Sequence, residues 1–172
     1  GACTLCIEAC PTGAIVEPRM VDSRLCIAYH TIELRGSIPL EHRAAIGLRL
    51  FGCDDCQEAC PWNSAGVVDG GDWFTPRPES ISPALARVLT MSHEEYLATF
   101  RGSSIKRGTW RGLRRNAAVA LGNAAAEMAR RGSGPAAGWT DTLATVASDL
   151  AEDPVVREHA AWAFARAEHG DP

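Results

Sequence analysis

Seven cysteines, Cys3, Cys6, Cys10, Cys26, Cys53, Cys56 and Cys60, lie in the first 60 residues of a 172-residue chain, and none follows. Two groups share one spacing. Cys3-x2-Cys6-x3-Cys10-Pro11 and Cys53-x2-Cys56-x3-Cys60-Pro61 both match the end of the bacterial ferredoxin run C-x2-C-x2-C-x3-C-P. The spacing is a chelation geometry. Short x2 loops wrap the corners of an iron–sulfur cubane, the x3 step turns the chain away so that the last Cys reaches the other cluster, and Pro ends the turn. The run's first cysteine would fall just before Gly1 in the first copy. In the second copy Leu50 stands in its place, and Cys26 is free to serve. One 4Fe–4S cluster is therefore assigned to Cys3, Cys6, Cys60 and a ligand upstream of Gly1. The other is assigned to Cys10, Cys26, Cys53 and Cys56. Structural zinc also accepts Cys-x2-Cys pairs, but two matched Cys-Pro runs favour two clusters. A disulfide framework fits poorly, because the count is odd and no export signal is visible.

The expected fold class is α+β: a two-cluster ferredoxin-type domain over residues 1–75, then an all-α HEAT-like repeat domain over 76–172. Residues 14–16 and 20–21 read as two short strands around Glu17-Pro18-Arg19. Leu40–Leu50 reads as a helix with a weak point at Gly47. Gly66–Ser82 reads as a linker, with Trp73 and Phe74 tacking it to a neighbour. Beyond it the chain turns Ala- and Leu-rich. Ser92 and Glu95 form a capping box. Arg111–Ala129 is helical by composition with a candidate break at Gly122, and Thr140–Leu150 is a further helix. Asp153-Pro154 caps and opens a last helix, Pro154–Glu168. Arg114–Leu121 echoes Arg157–Phe164 at an offset of 43 residues, a period that suits helix-pair repeats. The alternative is two unrelated Ala-rich helices. So few repeats need another body to pack on, and the cysteine domain is the candidate.

Composition bounds the rest. Hydrophobic residues make up 46%, charged residues 22%, and the net charge is −4. No global basic field draws the chain to nucleic acid. No apolar run reaches the roughly 18 residues of a membrane span. Locally the picture differs. Arg101, Lys106, Arg107, Arg111, Arg114 and Arg115 place six positive charges within 15 residues, with no acid between Glu95 and Glu127. That density suits phosphate contact; a solvated helix face is the plainer reading. Trp110 within it could stack on a base or pack in the core. His30 lies near the cysteines as a hydrogen-bonded neighbour, and His42, His93, His159 and His169 read as structural or exposed. Trp62 and Asn63, after Cys60-Pro61, are expected to cover a cluster from water.

Four stretches, CTLCIEACPTGAI (Cys3–Ile15), CIAYHTIELRGSIP (Cys26–Pro39), GCDDCQEACPWN (Gly52–Asn63) and LRRNAAVALGN (Leu113–Asn123), resemble the epoxyqueuosine reductases. The Tyr29-His30-Thr31-Ile32-Glu33 block and the Cys53–Asn63 block are the most specific, since a generic ferredoxin shares only the cysteines. The resemblance implies reduction of epoxyqueuosine in tRNA to queuosine with cobalamin and two 4Fe–4S clusters. It implies that this chain is a C-terminal portion lacking the N-terminal cobalamin-binding domain and its acidic proton donor. Such a portion would relay electrons, form part of the tRNA platform and not turn over alone. It further implies that the cluster on Cys10, Cys26, Cys53 and Cys56 lies nearer cobalamin, with Tyr29, Thr31 and Asp54 on the corrin-facing side. Tyr29 and Thr31 packing beside the cluster is the alternative. With the resemblance, Lys106, Arg107, Arg111, Arg114 and Arg115 become the expected contacts to a tRNA anticodon stem-loop, with Arg114 and Arg115 able to split, one out to RNA and one paired with Glu or Asp. Expected partners are that tRNA and an electron donor, with no membrane, for a monomer of the cytoplasm. A ferredoxin-type electron-transfer module of another corrinoid-dependent reductase is the alternative function.

Overall fold

The computed structural model describes residues 2–63 and 83–169. The expected linker over 66–82, with Trp73 and Phe74, and the boundary at 75/76 lie outside the described residues.

The cysteine-bearing half is built from small pieces. Helix α1 (Leu5–Glu8) precedes a hairpin of β1 (Ile15–Glu17) and β2 (Met20–Val21), paired antiparallel with Ile15 opposite Val21. The hairpin is the expected one, and Arg19 closes its turn at φ 68°. A five-residue π-helical turn, Tyr29–Glu33, follows, a rare geometry that is frequent at functional sites. Helix α2 (Leu40–Ile46) stops four residues short of the expected Leu50. Gly47 is the reason: at φ 60° its backbone leaves the helix in the region only glycine enters freely. Helix α3 (Asp55–Glu58) and a 3-10 turn, Pro61–Asn63, complete this half.

The second half is helical throughout. Helices α4 (Leu85–Thr90) and α5 (His93–Thr99) lead through a 3-10 turn, Ser104–Gly108, into the long α6 (Trp110–Arg130), then α7 (Trp139–Ser148) and α8 (Pro154–His169). The capping box is present: Ser92 Oγ accepts from Glu95 N–H at 3.1 Å, and Glu95 Oε2 accepts from Ser92 N–H at 2.9 Å. Asp153 Oδ1 accepts from Val155 N–H at 2.9 Å and caps α8 as its Asp-Pro start requires.

Helix α6 does not break at Gly122. A Cβ there would lie 2.8 Å from Cα and Cβ of Ala163 on α8. The glycine therefore serves a close crossing of α6 and α8. Leu113, Ala117, Leu121, Val156, Ala160 and Ala163 are buried around that crossing, with Val88, Leu89, Phe100 and Leu143 beside them. The two echoing segments sit on these two helices, and both face the cysteine-bearing half. Asn123 of α6 donates to the carbonyls of Arg43 (2.9 Å) and Gly47 (3.0 Å), and a second core of Ile27, Ile38, Ile46 and Val119 joins the halves.

Candidate cluster-binding site

The two cysteine motifs are conformational copies of each other. Thr4 (φ −119°, ψ 5°) and Asp54 (φ −117°, ψ 9°) open them, and Ala9 and Ala59 close them in αR. The turns repeat bond for bond. Ile7 and Gln57 N–H donate to Thr4 and Asp54 O at 2.8 and 2.7 Å. Cys10 and Cys60 N–H donate to Ile7 and Gln57 O at 3.3 and 3.2 Å. Helices α1 and α3 pack against each other. Two equal one-turn scaffolds placed face to face are what an interlocked pair of ferredoxin runs demands.

The expected second ligand set comes together. Cys10, Cys26, Cys53 and Cys56 line one cavity of about 120 Å³, walled by Ile15, Val21 and Ile27. Among the described residues no three His, Cys, Asp or Glu side chains close on a point as ligands of a single ion do. Four cysteine thiolates are the donor set a 4Fe–4S cubane takes.

The sulfurs are held in a field that asks for a cation. Burial pushes the Cys56 thiol up, and the neighbouring Cys10, Cys26 and Cys6 sulfurs add to the push. Burial also raises Cys53, and the Asp55 carboxylate at 3.5 Å opposes its ionisation further. Arg49 offsets that charge through a bidentate pair with Asp55 (2.7 Å from Nη2 to Oδ1). Cys10 goes the other way: burial would raise it, but hydrogen bonds from Thr12 and Ala14 outweigh burial and lower it, with Ala14 N–H 3.2 Å from its Sγ. Crowded thiolates repel one another, and a bound cationic centre relieves them.

Cys3, Cys6 and Cys60 do not line that cavity. Cys6 sits on α1 and Cys60 just beyond α3, both half-buried, with Cys3 exposed. Trp62, expected beside a cluster, is 89% exposed.

Of the residues expected toward cobalamin, Asp54 is exposed and Tyr29 half-buried, so both are reachable. Thr31 is not. It is fully buried, and its hydroxyl donates to Ile27 O (2.8 Å) and accepts from Gly52 N–H (3.0 Å). A side chain committed to two internal bonds offers nothing to a corrin. His30 is likewise buried, its ring 5.0 Å from that of His42.

The basic segment divides. Lys106 is half-buried and Arg107 exposed, Arg107 pairing with Glu33 at 2.6 Å. Arg111, 42% exposed, donates to Arg35 O at 2.7 Å and reaches Asp153 at 3.5 Å. Arg114 and Arg115, expected among the phosphate contacts or split between RNA and an acidic partner, both turn inward. Arg114 pairs with Glu152, donates to Leu89 O and lies over the Trp110 ring at 4.7 Å. Trp110 itself donates to Met91 O at 2.7 Å, so it is a core residue and not a stacking platform. Arg115 is 1% exposed and donates to the carbonyls of His30, Leu34 and Gly36. Burial, then the nearby Arg111, Arg35 and Arg43 cations, lower its pKa to about 10, which leaves it charged at neutral pH. Sequence reasoning missed Arg35. It is exposed and donates to Arg107 O at 3.1 Å, joining the surface cations from a segment 72 residues away. Only the fold brings that pair together.

Among the described residues no helix is long and apolar enough to cross a membrane. Residues 1–63 match a family of 4Fe–4S double cluster binding domains. Curated relatives named epoxyqueuosine reductase include those of Shigella dysenteriae and Escherichia coli, 46% and 45% identical over 168 residues. Each match covers 96% of this chain and 41% of the relative, so the chain spans well under half the length of the proteins it resembles. Among solved structures, an epoxyqueuosine reductase with a tRNA-Tyr epoxyqueuosine-modified stem loop superposes with a TM-score of 0.85 at 34% identity. The Streptococcus thermophilus enzyme superposes at 0.83 and 25%. Both cover all of this chain and 42% of the other. Across the segment it shares with these proteins, the chain is similar to the epoxyqueuosine reductases, and its first 63 residues match a 4Fe–4S double cluster binding domain.

Proposed function

We propose that this chain is the electron-relay and tRNA-facing part of an enzyme that reduces epoxyqueuosine in tRNA to queuosine. The observation that carries the reading is the single cavity ringed by Cys10, Cys26, Cys53 and Cys56, drawn from three separate stretches of a chain 46% identical to a named epoxyqueuosine reductase. Deoxygenating an epoxide to an alkene consumes two electrons and two protons and releases water. Bound 4Fe–4S clusters supply one-electron steps, and cobalamin, held mainly by residues beyond this chain, would do the carbon chemistry.

The chain's own residues have narrower tasks. Cys10, Cys26, Cys53 and Cys56 hold one cluster; Cys3, Cys6 and Cys60 contribute to the other. Ile15, Val21 and Ile27 give the thiol-lined cavity apolar walls, which lowers the local dielectric around it. Tyr29 and Asp54 are the accessible groups beside the Cys26 and Cys53 loops and form this chain's edge of the cobalamin site. Arg35, Lys106, Arg107 and Arg111 form the phosphate-contacting surface. An anticodon stem-loop is a fitting partner, since RNA is read by shape and by bases splayed from a loop, and the target base must leave its stack to react.

The test uses the full-length protein with tRNA carrying epoxyqueuosine and an excess of reductant. Nucleosides are then analysed by mass spectrometry. Queuosine appears with the wild-type protein and not with Cys53→Ser. Absence of queuosine from a wild-type protein loaded with iron, sulfide and cobalamin overturns the proposal.

A further inference from the structure

Within the cavity's ligand set, Cys53 and Cys56 share one tight motif, and Cys10 belongs to the packed partner motif. Cys26 has no such tie. It sits alone, well ahead of Cys53 in sequence. Something else must fix its distance from the Cys53 loop.

Thr31 spans that gap. Its hydroxyl donates to the carbonyl of Ile27, the residue after Cys26, and accepts the N–H of Gly52, the residue before Cys53. One oxygen thus joins the two ligand-bearing arms. A second bridge comes from the helical half. Asn116 Nδ2 donates to Thr31 O at 2.7 Å on one arm and to Leu50 O at 2.9 Å on the other. Both amide hydrogens are used, and Asn116 Oδ1 accepts from Arg115 Nε and Nη2 at 3.1 and 2.9 Å. Arg115 Nη2 also donates to His30 O at 2.6 Å, and His30 N–H donates to Cys26 O at 3.0 Å. Each side-chain polar atom of Thr31, Asn116 and Arg115 along this bridge has a partner, and Thr31 and Asn116 are fully buried. Buried, saturated networks of this kind select one geometry.

We infer that Thr31 and Asn116 are positioning residues that set the separation of Cys26 and Cys53, so that helix α6 is part of the cluster's frame and not merely attached to it. The inference rests on reading Cys10, Cys26, Cys53 and Cys56 as one 4Fe–4S ligand set.

The experiment measures iron release to a chelator from the anaerobically reconstituted full-length protein, with the paramagnetic resonance spectrum of the reduced clusters alongside. Cys26→Ser identifies which iron pool belongs to this set. In Thr31→Val, which keeps size and branching but loses the hydroxyl, that pool is released about 10–100-fold faster, the range expected when a group supporting a metal ligand is removed. Its spectrum changes, the other pool keeps the wild-type rate, and Thr31→Ser restores wild-type behaviour. Asn116→Ala shifts the same pool. Wild-type release and spectra in Thr31→Val overturn the inference, as does equal acceleration of both pools, the mark of general loosening. A wild-type protein that takes up no iron and sulfide overturns the ligand-set reading instead.

Discussion

His159 Nε2 accepts the backbone N–H of Ile38 at 3.0 Å, while its Nδ1–H donates to Val155 O at 2.7 Å. The ring is fully buried at the junction of the two halves, and its hydrogen bonds fix the neutral, Nδ1-protonated form. A proton on Nε2 would face another donor. Burial and the Arg43 cation lower the His159 pKa to about 4 from the ordinary 6.5, and Glu158, engaged by Arg43 and Ser37, does not reverse this.

Acid therefore weakens the junction. Above pH 6.5 the ring is neutral folded or unfolded, and the junction is at full strength. As pH falls below that value the unfolded chain takes up a proton that the folded chain refuses, so stability drops. The loss from this residue reaches about 1.4 kcal/mol at about pH 5.5. Urea titrations at about pH 7.5 and about pH 5.5 measure it as the difference between wild type and His159→Gln, which keeps an acceptor but does not titrate. Equal pH responses in the two proteins contradict the assignment.

Gly122 makes a second stability prediction against the usual rule. Replacing a mid-helix glycine by alanine normally gains about 1 kcal/mol. Here the added methyl meets Ala163 backbone and side chain at 2.8 Å, so α6 and α8 must separate. Overpacking of this sort costs about 1–3 kcal/mol. Gly122→Ala is expected to lower the denaturation midpoint, and a raised midpoint contradicts the close crossing.

What was legible in the sequence was local. The cysteine grouping follows from covalent spacing, the capping box and Asp153-Pro154 from short-range hydrogen bonding, and the hairpin from its turn. What was hidden depends on partners far along the chain. Arg114 and Arg115 look like any other members of a basic run until Leu89, Glu152 and the carbonyls of residues 30–36 close around them. Thr31 shares a block with the half-exposed Tyr29, and nothing in that block tells which side chain is swallowed. The 43-residue echo did hold a clue. Asn116 and His159 occupy equivalent places in it, and both reach across to backbone of the cysteine-bearing half.

Arg115 is therefore expected to behave as a structural residue. Arg115→Met leaves three carbonyls and Asn116 Oδ1 without their donor and is expected to cost about 3 kcal/mol or more. Arg114→Ala strands Glu152 in a site where only 12% of its side chain is exposed, at a cost of about 3–5 kcal/mol. Chemical denaturation measures both. A change below about 0.5 kcal/mol, as at ordinary surface positions, contradicts the burial of either group.

The surface cations should show the opposite behaviour. Lys106, Arg107 and Arg111 lie on or near solvent together with Arg35, and their ion pairs with Glu33 and Asp153 are exposed enough to exchange for phosphate. A pair of that kind contributes about 0–1 kcal/mol, so its removal leaves the fold intact. Removing one phosphate-binding cation should lower the slope of log affinity against log salt by about one unit. Arg35→Ala, Arg107→Ala and Arg111→Ala are expected to weaken stem-loop binding and flatten that slope with denaturation midpoints unchanged. Titrating labelled stem-loop at several salt concentrations separates this from the alternative. If all three variants bind with the wild-type slope, this face is not a phosphate-contacting surface.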